Sequence, residues 1–154
     1  MNMSDYVIMT DSCCDLSAEL AAELELEVLP LRLELEGRSY RNLLDGGEIG
    51  FQEFYSKVRS GAMPVTSAVN VGEFDAAMRP ILEAGKDILC LCFSSALSTT
   101  YQSAVIAGRE LEEAFPERKV RVVDSLCASM GQGLLVWLCA QEKKKGKTLE
   151  EVLD

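Results

Sequence analysis

Three short apolar runs, Tyr6–Thr10, Asp87–Phe93 and Lys119–Val123, each give way to acidic or hydroxyl residues, and segments of helical spacing lie between them. That alternation leaves few folds open. Near-continuous apolar runs are the pattern of strands buried on both faces, and helix-length connections between them imply parallel pairing. Leu16, Leu20 and Leu24 mark a helix behind Asp15 or Ser17 as cap, and Phe51, Phe54, Tyr55 and Val58 mark another that stops at Gly61. Val71, Phe74, Met78, Ile81 and Leu82 mark a third, in which Pro80 predicts a kink or a break. Ala104, Val105, Gly108, Leu111 and Phe115 face inward on a fourth, and a fifth runs from about Ala128 to Lys145.

One segment has a different period. Leu29, Leu31, Leu33 and Leu35 alternate with Pro30, Arg32, Glu34 and Glu36, as in a strand with one wet face. Pro30 suits an edge or a strand start, and Gly37-Arg38 can close a hairpin onto Ser39-Tyr40-Arg41 through a type II′ turn. Met63 to Ser67 reads as a turn-rich stretch. The fold class expected is therefore α/β: a mostly parallel open sheet flanked by helices, with an antiparallel edge hairpin. Residues 1–147 form the ligand-binding domain. Thr148-Leu-Glu-Glu151 is a capping box that opens a further helix over 148–154, which suggests a chain lacking a second, C-terminal domain; the alternative is a frayed terminal turn.

Composition excludes more than it proposes. The 154 residues contain 15 Lys+Arg against 25 Asp+Glu, a formal charge of −10 that disfavours a nucleic-acid partner. There is no histidine, so these residues hold no Ser-His-Asp triad and no His-ligated zinc. The six cysteines form no CxxC; Cys90 and Cys92 share one strand face and read as small buried hydrophobes. The run Leu134–Ala140 is too short to span a bilayer, so a soluble, cytoplasmic protein without stable membrane insertion is expected.

In open α/β sheets ligands gather outside the carboxyl ends of the strands. Here those ends carry Thr10-Asp11-Ser12, Ser94-Ser95 and Asp124-Ser125, while Thr66-Ser67 and Ser98-Thr99-Thr100 add hydroxyls in loops. Hydroxyls beside helix N-termini, together with unpaired backbone N–H groups, suit an anionic head group. Taken singly, each of these residues more often just caps the next helix. There is no P-loop and no nucleophile elbow, and Gly131-Gln-Gly133 has Val136 where a dinucleotide fingerprint needs Gly or Ala. Donors without an acid–base pair point to binding of a small carboxylate or phosphate, with no catalytic residue and no metal assigned.

Several of these strings occur together in an order that resembles the N-terminal domain of the DegV family. They are Thr10-Asp11-Ser12 with Asp15-Leu16, Pro30-Leu31, Pro64-Val-Thr66-Ser67, Ser94-Ser95-Ala-Leu-Ser98-Thr-Thr100-Tyr-Gln102-Ser-Ala104, Val123-Asp124-Ser125 and Gly131-Gln-Gly133. The resemblance covers nearly the whole chain and implies a bacterial lipid-binding protein. Such a protein binds a long-chain fatty acid and presents it to a fatty acid kinase, and the acyl phosphate formed feeds phospholipid synthesis. It implies that Thr66 and one of Ser94 and Ser95 hydrogen-bond the carboxylate, with Ser67 and Ser98 lining or supporting the pocket. Asp11, Ser12, Asp124 and Ser125 form a second tier at the strand ends. No cofactor is implied beyond the bound acid. Thr99 stands where the family usually has glycine, and Ala68-Val69 where Gln-Pro is common. The family also has a second domain carrying a histidine that reaches the carboxylate. A rival reading is an α/β enzyme acting on a phosphorylated or carboxylated metabolite through Asp11 or Asp124. A third is a fragment whose exposed face packs on a missing domain.

Overall fold

The computed structural model describes residues 6–154. In chain order the elements are β1 (Tyr6–Asp11), a 3-10 turn (Ser12–Cys14), α1 (Ala18–Glu23), β2 (Glu27–Leu29), β3 (Arg32–Leu35), β4 (Arg38–Arg41), α2 (Phe51–Arg59), β5 (Val65–Ser67), α3 (Val71–Glu83), β6 (Asp87–Cys92), α4 (Thr100–Ala114), β7 (Val120–Asp124), α5 (Met130–Lys144) and α6 (Leu149–Leu153). The apolar runs become β1, β6 and β7 of a four-stranded parallel sheet in the order β2-β1-β6-β7, with β1 and β6 at its centre. Helices cover both faces, and the two-residue period of the strands sorts the core between them. Met9, Cys90 and Cys92 pack with Phe74, Met78, Ala104 and Leu111 of α3 and α4. Ile8, Leu89 and Leu91 pack on the other face with Cys14, Val136, Cys139 and Leu149. Cys90 and Cys92 are fully buried small side chains, their sulfurs 3.6 Å apart, as the sequence leads one to expect. Each large apolar side chain so buried contributes roughly 1.5–3 kcal/mol.

The alternating leucines do not form one strand. Leu29 ends β2 in the parallel sheet, paired with Asp11, and Leu33 and Leu35 belong to a separate antiparallel sheet in the order β4-β3-β5. The break falls at Pro30, which has no N–H to continue a ladder. The Leu31 N–H turns to Ser12 Oγ instead, and the Leu31 carbonyl accepts from the Asn42 N–H at 2.7 Å. The hairpin closes through Glu36 and Gly37, both at positive φ (51° and 76°), so it is a type I′-like turn one residue earlier than expected. The stretch read as a turn contains β5, which pairs with β3. Pro80 does not break α3, which continues for three residues beyond it with Phe74, Met78 and Leu82 buried along its length. No helix among the described residues is long and apolar enough to cross a membrane.

Close approach of α5 to the 3-10 turn accounts for Gly131-Gln-Gly133. A Cβ at Gly133 would lie 2.5 Å from the Cys14 carbonyl oxygen and 2.9 Å from Leu16 Cδ2. Gln132 is fully buried, and its Nε2 donates to Thr10 Oγ1 (3.0 Å) and Asp11 Oδ1 (3.2 Å). The motif locks a helix onto the end of β1. Alanine in a helix interior ordinarily gains about 1 kcal/mol over glycine. Gly133→Ala is nonetheless expected to lose about 1–3 kcal/mol, because overpacking against backbone dominates; a lowered urea midpoint checks this. At the other end, the Thr148 capping box forms as expected, with Thr148 N–H donating to Glu151 Oε2 (2.8 Å) and Leu149 buried.

Candidate functional site

Parallel pairing brings the carboxyl ends of β1, β6 and β7 to one edge, where hydrogen bonds sort the polar side chains into engaged and available groups. Asp11 is buried: its Oδ1 accepts from the Cys13 N–H and Gln132, and its Oδ2 from the Phe93 N–H at 2.8 Å. Burial raises its carboxyl above the ordinary value, against the opposing pull of those bonds. Ser12 Oγ accepts from the Leu31 N–H and from Asn42 Nδ2. Asp124 Oδ1 accepts from the Ser95 N–H (3.1 Å) and the Leu126 N–H (3.0 Å). Burial pushes this carboxyl up, but hydrogen bonds from Ser95 and Leu126 outweigh it and hold the group below its ordinary range. Ser125 Oγ is engaged with Cys127, and Ser94 Oγ with the Ala96 N–H. These groups build the loops.

The backbone of the β6–α4 loop is engaged as well. Ser94 N–H donates to the Cys127 carbonyl, Ser95 N–H to Asp124, Ala96 N–H to Ser94 Oγ, and the Leu97 and Ser98 N–H groups to the Ser94 carbonyl. The unpaired N–H groups expected in this loop are therefore absent between Ser94 and Ser98. The N–H groups of Tyr101 and Gln102, in the first turn of α4, have no partner among the described residues. Thr99 precedes them at φ −80°, ψ 0°, an ordinary right-handed conformation that does not require glycine, and its side chain makes no cap bond.

A cavity of about 630 Å³ opens beside this edge. Thr66 from the small sheet lines it together with Ser95, Ser98, Thr99 and Gln102 from the β6–α4 region, while Leu31, Phe93 and Leu97 supply apolar wall. Its volume falls within the roughly 300–1,000 Å³ of small-molecule sites. Thr66, Ser95, Thr99 and Gln102 are exposed, and the side chains of Thr66, Thr99 and Gln102 have no hydrogen-bond partner among the described residues. Ser98 Oγ already accepts from the Thr100 N–H and shares a hydrogen bond with Thr100 Oγ1. Ser67 does not line the cavity: alternation along β5 puts Thr66 on the side of Leu33 and Ser67 on the opposite face, across from Arg32. Ser94 does not line it either; it lies buried beneath the loop. Cys13 lines it, but burial, reinforced by the Asp11 charge, pushes this thiol up to about 12, so it stays protonated and is no nucleophile.

Asn42 and Thr66 also line an adjoining chamber of about 230 Å³ walled by Leu33, Ile49 and Phe54. Asn42 thus stands where the two cavities meet, the smaller one lined also by Asp15 and Arg41. No motif singles it out in sequence. The only local signal is its place just after the β4 edge of a hairpin.

A family model described as an uncharacterised protein of the DegV family matches residues 5–154. The chain belongs to the DegV family. A DegV domain-containing protein of Clostridium perfringens is 41% identical over 150 residues, covering 97% of this chain and 51% of the relative. Among solved structures, a DegV family protein from Thermus thermophilus, described by its fatty acid binding, is 37% identical with a TM-score of 0.84, covering 97% of this chain and 51% of that one. A stearic acid-binding protein from Eubacterium ventriosum is 28% identical with a TM-score of 0.86, covering 96% and 50%. The DegV chain described here spans about half the length of the curated relatives it matches. Its parallel sheet flanked by helices is the fold those structures share.

Proposed function

We propose that this DegV chain binds a long-chain fatty acid, with the carboxylate held by the hydroxyls of Thr66 and Ser95, and with Ser98 supporting the loop between them. The observation that carries this reading is the cavity in which a hydroxyl from the small sheet and one from the β6–α4 loop meet apolar wall. The fatty acids bound by the Thermus and Eubacterium proteins support the ligand class. Ser67, Ser94, Asp11, Ser12, Asp124 and Ser125 shape the site without touching the ligand. Each hydrogen bond to the carboxylate contributes roughly 1.5–3 kcal/mol. At about 0.8 kcal/mol per buried CH₂, a long tail contributes more than both hydroxyls together. The tail sets affinity, and the hydroxyls set which end stays at the mouth. With a net charge of −10 and no Lys or Arg lining the cavity, long-range attraction does not bring the anion in, so local donors must hold it.

Because Thr66 and Ser95 are exposed, a carboxylate held there stays within reach of another protein, in keeping with presentation to a fatty acid kinase rather than with catalysis by this chain. The same reading assigns Met130, Leu134 and Leu138, exposed at four-residue spacing on α5, to packing against a further domain. Native mass spectrometry of the purified chain, with lipid extraction, tests the ligand class. A co-purified or added oleate or stearate retained one to one is expected. A folded protein that stays empty in the presence of excess oleate would overturn the reading.

A further inference from the structure

We infer that Asp124 is the positioning residue for carboxylate recognition: it fixes Ser95 in place from behind the cavity by joining the β6–α4 loop to the β7–α5 loop. The inference rests on the fatty-acid reading above and assigns Asp124 a role distinct from ligand contact or acid–base chemistry.

A single oxygen, Asp124 Oδ1, accepts both the Ser95 N–H of one loop and the Leu126 N–H of the other. Two backbone bonds flank it, from Ser125 N–H to the Cys92 carbonyl and from Ser94 N–H to the Cys127 carbonyl, each 3.1 Å. These two extend the β6–β7 pairing outward. Among the described residues, the Asp124 bond alone reaches as far as Ser95, which lines the cavity. Asp124 itself is not part of the cavity wall. Its bond to the amide two residues ahead makes an Asx-type turn, and it holds Leu126 at φ 52°, a conformation that a bulky L residue seldom adopts. Strain of that kind persists only where surrounding contacts enforce it. The Ser95 side chain also interacts with Asp124 and lowers its carboxyl, so Asp124 positions both the N–H of Ser95 and the hydroxyl that is to meet a ligand across from Thr66. A shift of this one oxygen would move Ser95 relative to Thr66, and a head group bridging the β6–α4 loop and β5 tolerates little such movement.

The role depends on where the acceptor oxygen sits and not on its charge, and two mild variants separate these. Asp124→Asn keeps an oxygen at the same reach without the charge; Asp124→Glu keeps the charge and displaces the oxygen by one methylene. Dissociation constants for oleate and for oleyl alcohol, which shares the tail and lacks the carboxylate, are measured for each. Asp124→Asn is expected to hold the oleate constant within about threefold of the unsubstituted chain. Asp124→Glu is expected to weaken oleate about tenfold, near the worth of one hydrogen bond to a charged group, while oleyl alcohol changes less than about twofold. Loss in Asp124→Asn with retention in Asp124→Glu would overturn the inference in favour of a charge effect. Retention of oleate in both, or equal loss of both ligands in both, would overturn it as well, the latter pointing to general loss of structure. An unsubstituted chain that binds neither ligand overturns the fatty-acid reading and this one with it, whereas normal oleate binding in Asp124→Glu overturns this one alone.

Discussion

Replacing Thr66 and Ser95 together by alanine is expected to weaken oleate binding by about a hundredfold or more while leaving the fold intact. Two hydrogen bonds to a charged group are worth roughly 3–6 kcal/mol, and each factor of ten in affinity corresponds to about 1.4 kcal/mol. The folded protein loses little, because the Thr66 side chain has no partner among the described residues and both positions are exposed. The residues come from different elements, Thr66 from β5 and Ser95 from the β6–α4 loop, so each single substitution leaves one anchor and costs about half the total in free energy. Ser94→Ala is the matched control. Its hydroxyl oxygen caps the Ala96 N–H beneath the loop, and its loss should act on binding only through the loop. Isothermal titration with oleate checks the set. An unchanged constant in the double variant would remove Thr66 and Ser95 from the site.

Asp11→Ala is expected to destabilise the chain by about 3–5 kcal/mol, a large part of the roughly 5–15 kcal/mol that holds a typical domain together. Asp11 is fully buried at the end of β1, and three donors converge on it: the Cys13 N–H, the Phe93 N–H and Gln132 Nε2. Removing the carboxylate strands the two backbone N–H groups and leaves Gln132 Nε2 with its Thr10 bond alone, and alanine offers no replacement acceptor. The same group gives stability a pH dependence with a defined sign. Burial raises the folded carboxyl, so the native state keeps its proton to higher pH than the unfolded chain, where aspartate titrates near about 3.9. The contribution of Asp11 to stability is therefore complete below that value and declines as pH rises through the folded pKa. Asp11→Asn, which cannot titrate, lacks this decline. The unfolding free energy of the unsubstituted chain minus that of Asp11→Asn should fall as pH rises from about 3.9 and then level off. A difference that grows with pH would mean the folded carboxyl is stabilised in its charged form instead.

The parts of the fold legible in sequence were those written in local periodicity. β1, β6 and β7 are apolar runs long enough to read directly, and the Thr148 box forms as its spacing implies. Pro30 was visible, but not its consequence: alternation from Leu29 to Leu35 satisfies one long strand and two short ones equally well, and only the pairing of Leu29 with Asp11 and of Leu33 with Thr66 separates them. β5 carries no signal because all three of its residues are exposed. Gly131-Gln-Gly133 was uninterpretable locally, since Gly133 is required by Cys14 and Gln132 by Thr10 and Asp11, all at the other end of the chain. The clustering of hydroxyls at the strand ends was legible from topology alone. Which of them remain available was not, because Ser12, Ser94 and Ser125 differ from the exposed Ser95 in the burial and the hydrogen bonds that three-dimensional contact gives them. Asn42 enters the cavity wall for the same reason, through placement rather than motif.

The most direct test of the account is a crystal structure of this chain grown with oleate. The account predicts one carboxylate oxygen within hydrogen-bond distance of Thr66 Oγ1 and one within that distance of Ser95 Oγ, about 2.5–3.0 Å in each case. An ordered oleate whose carboxylate lies away from both hydroxyls, or whose tail and not its head occupies the space between Thr66 and Ser95, would contradict it.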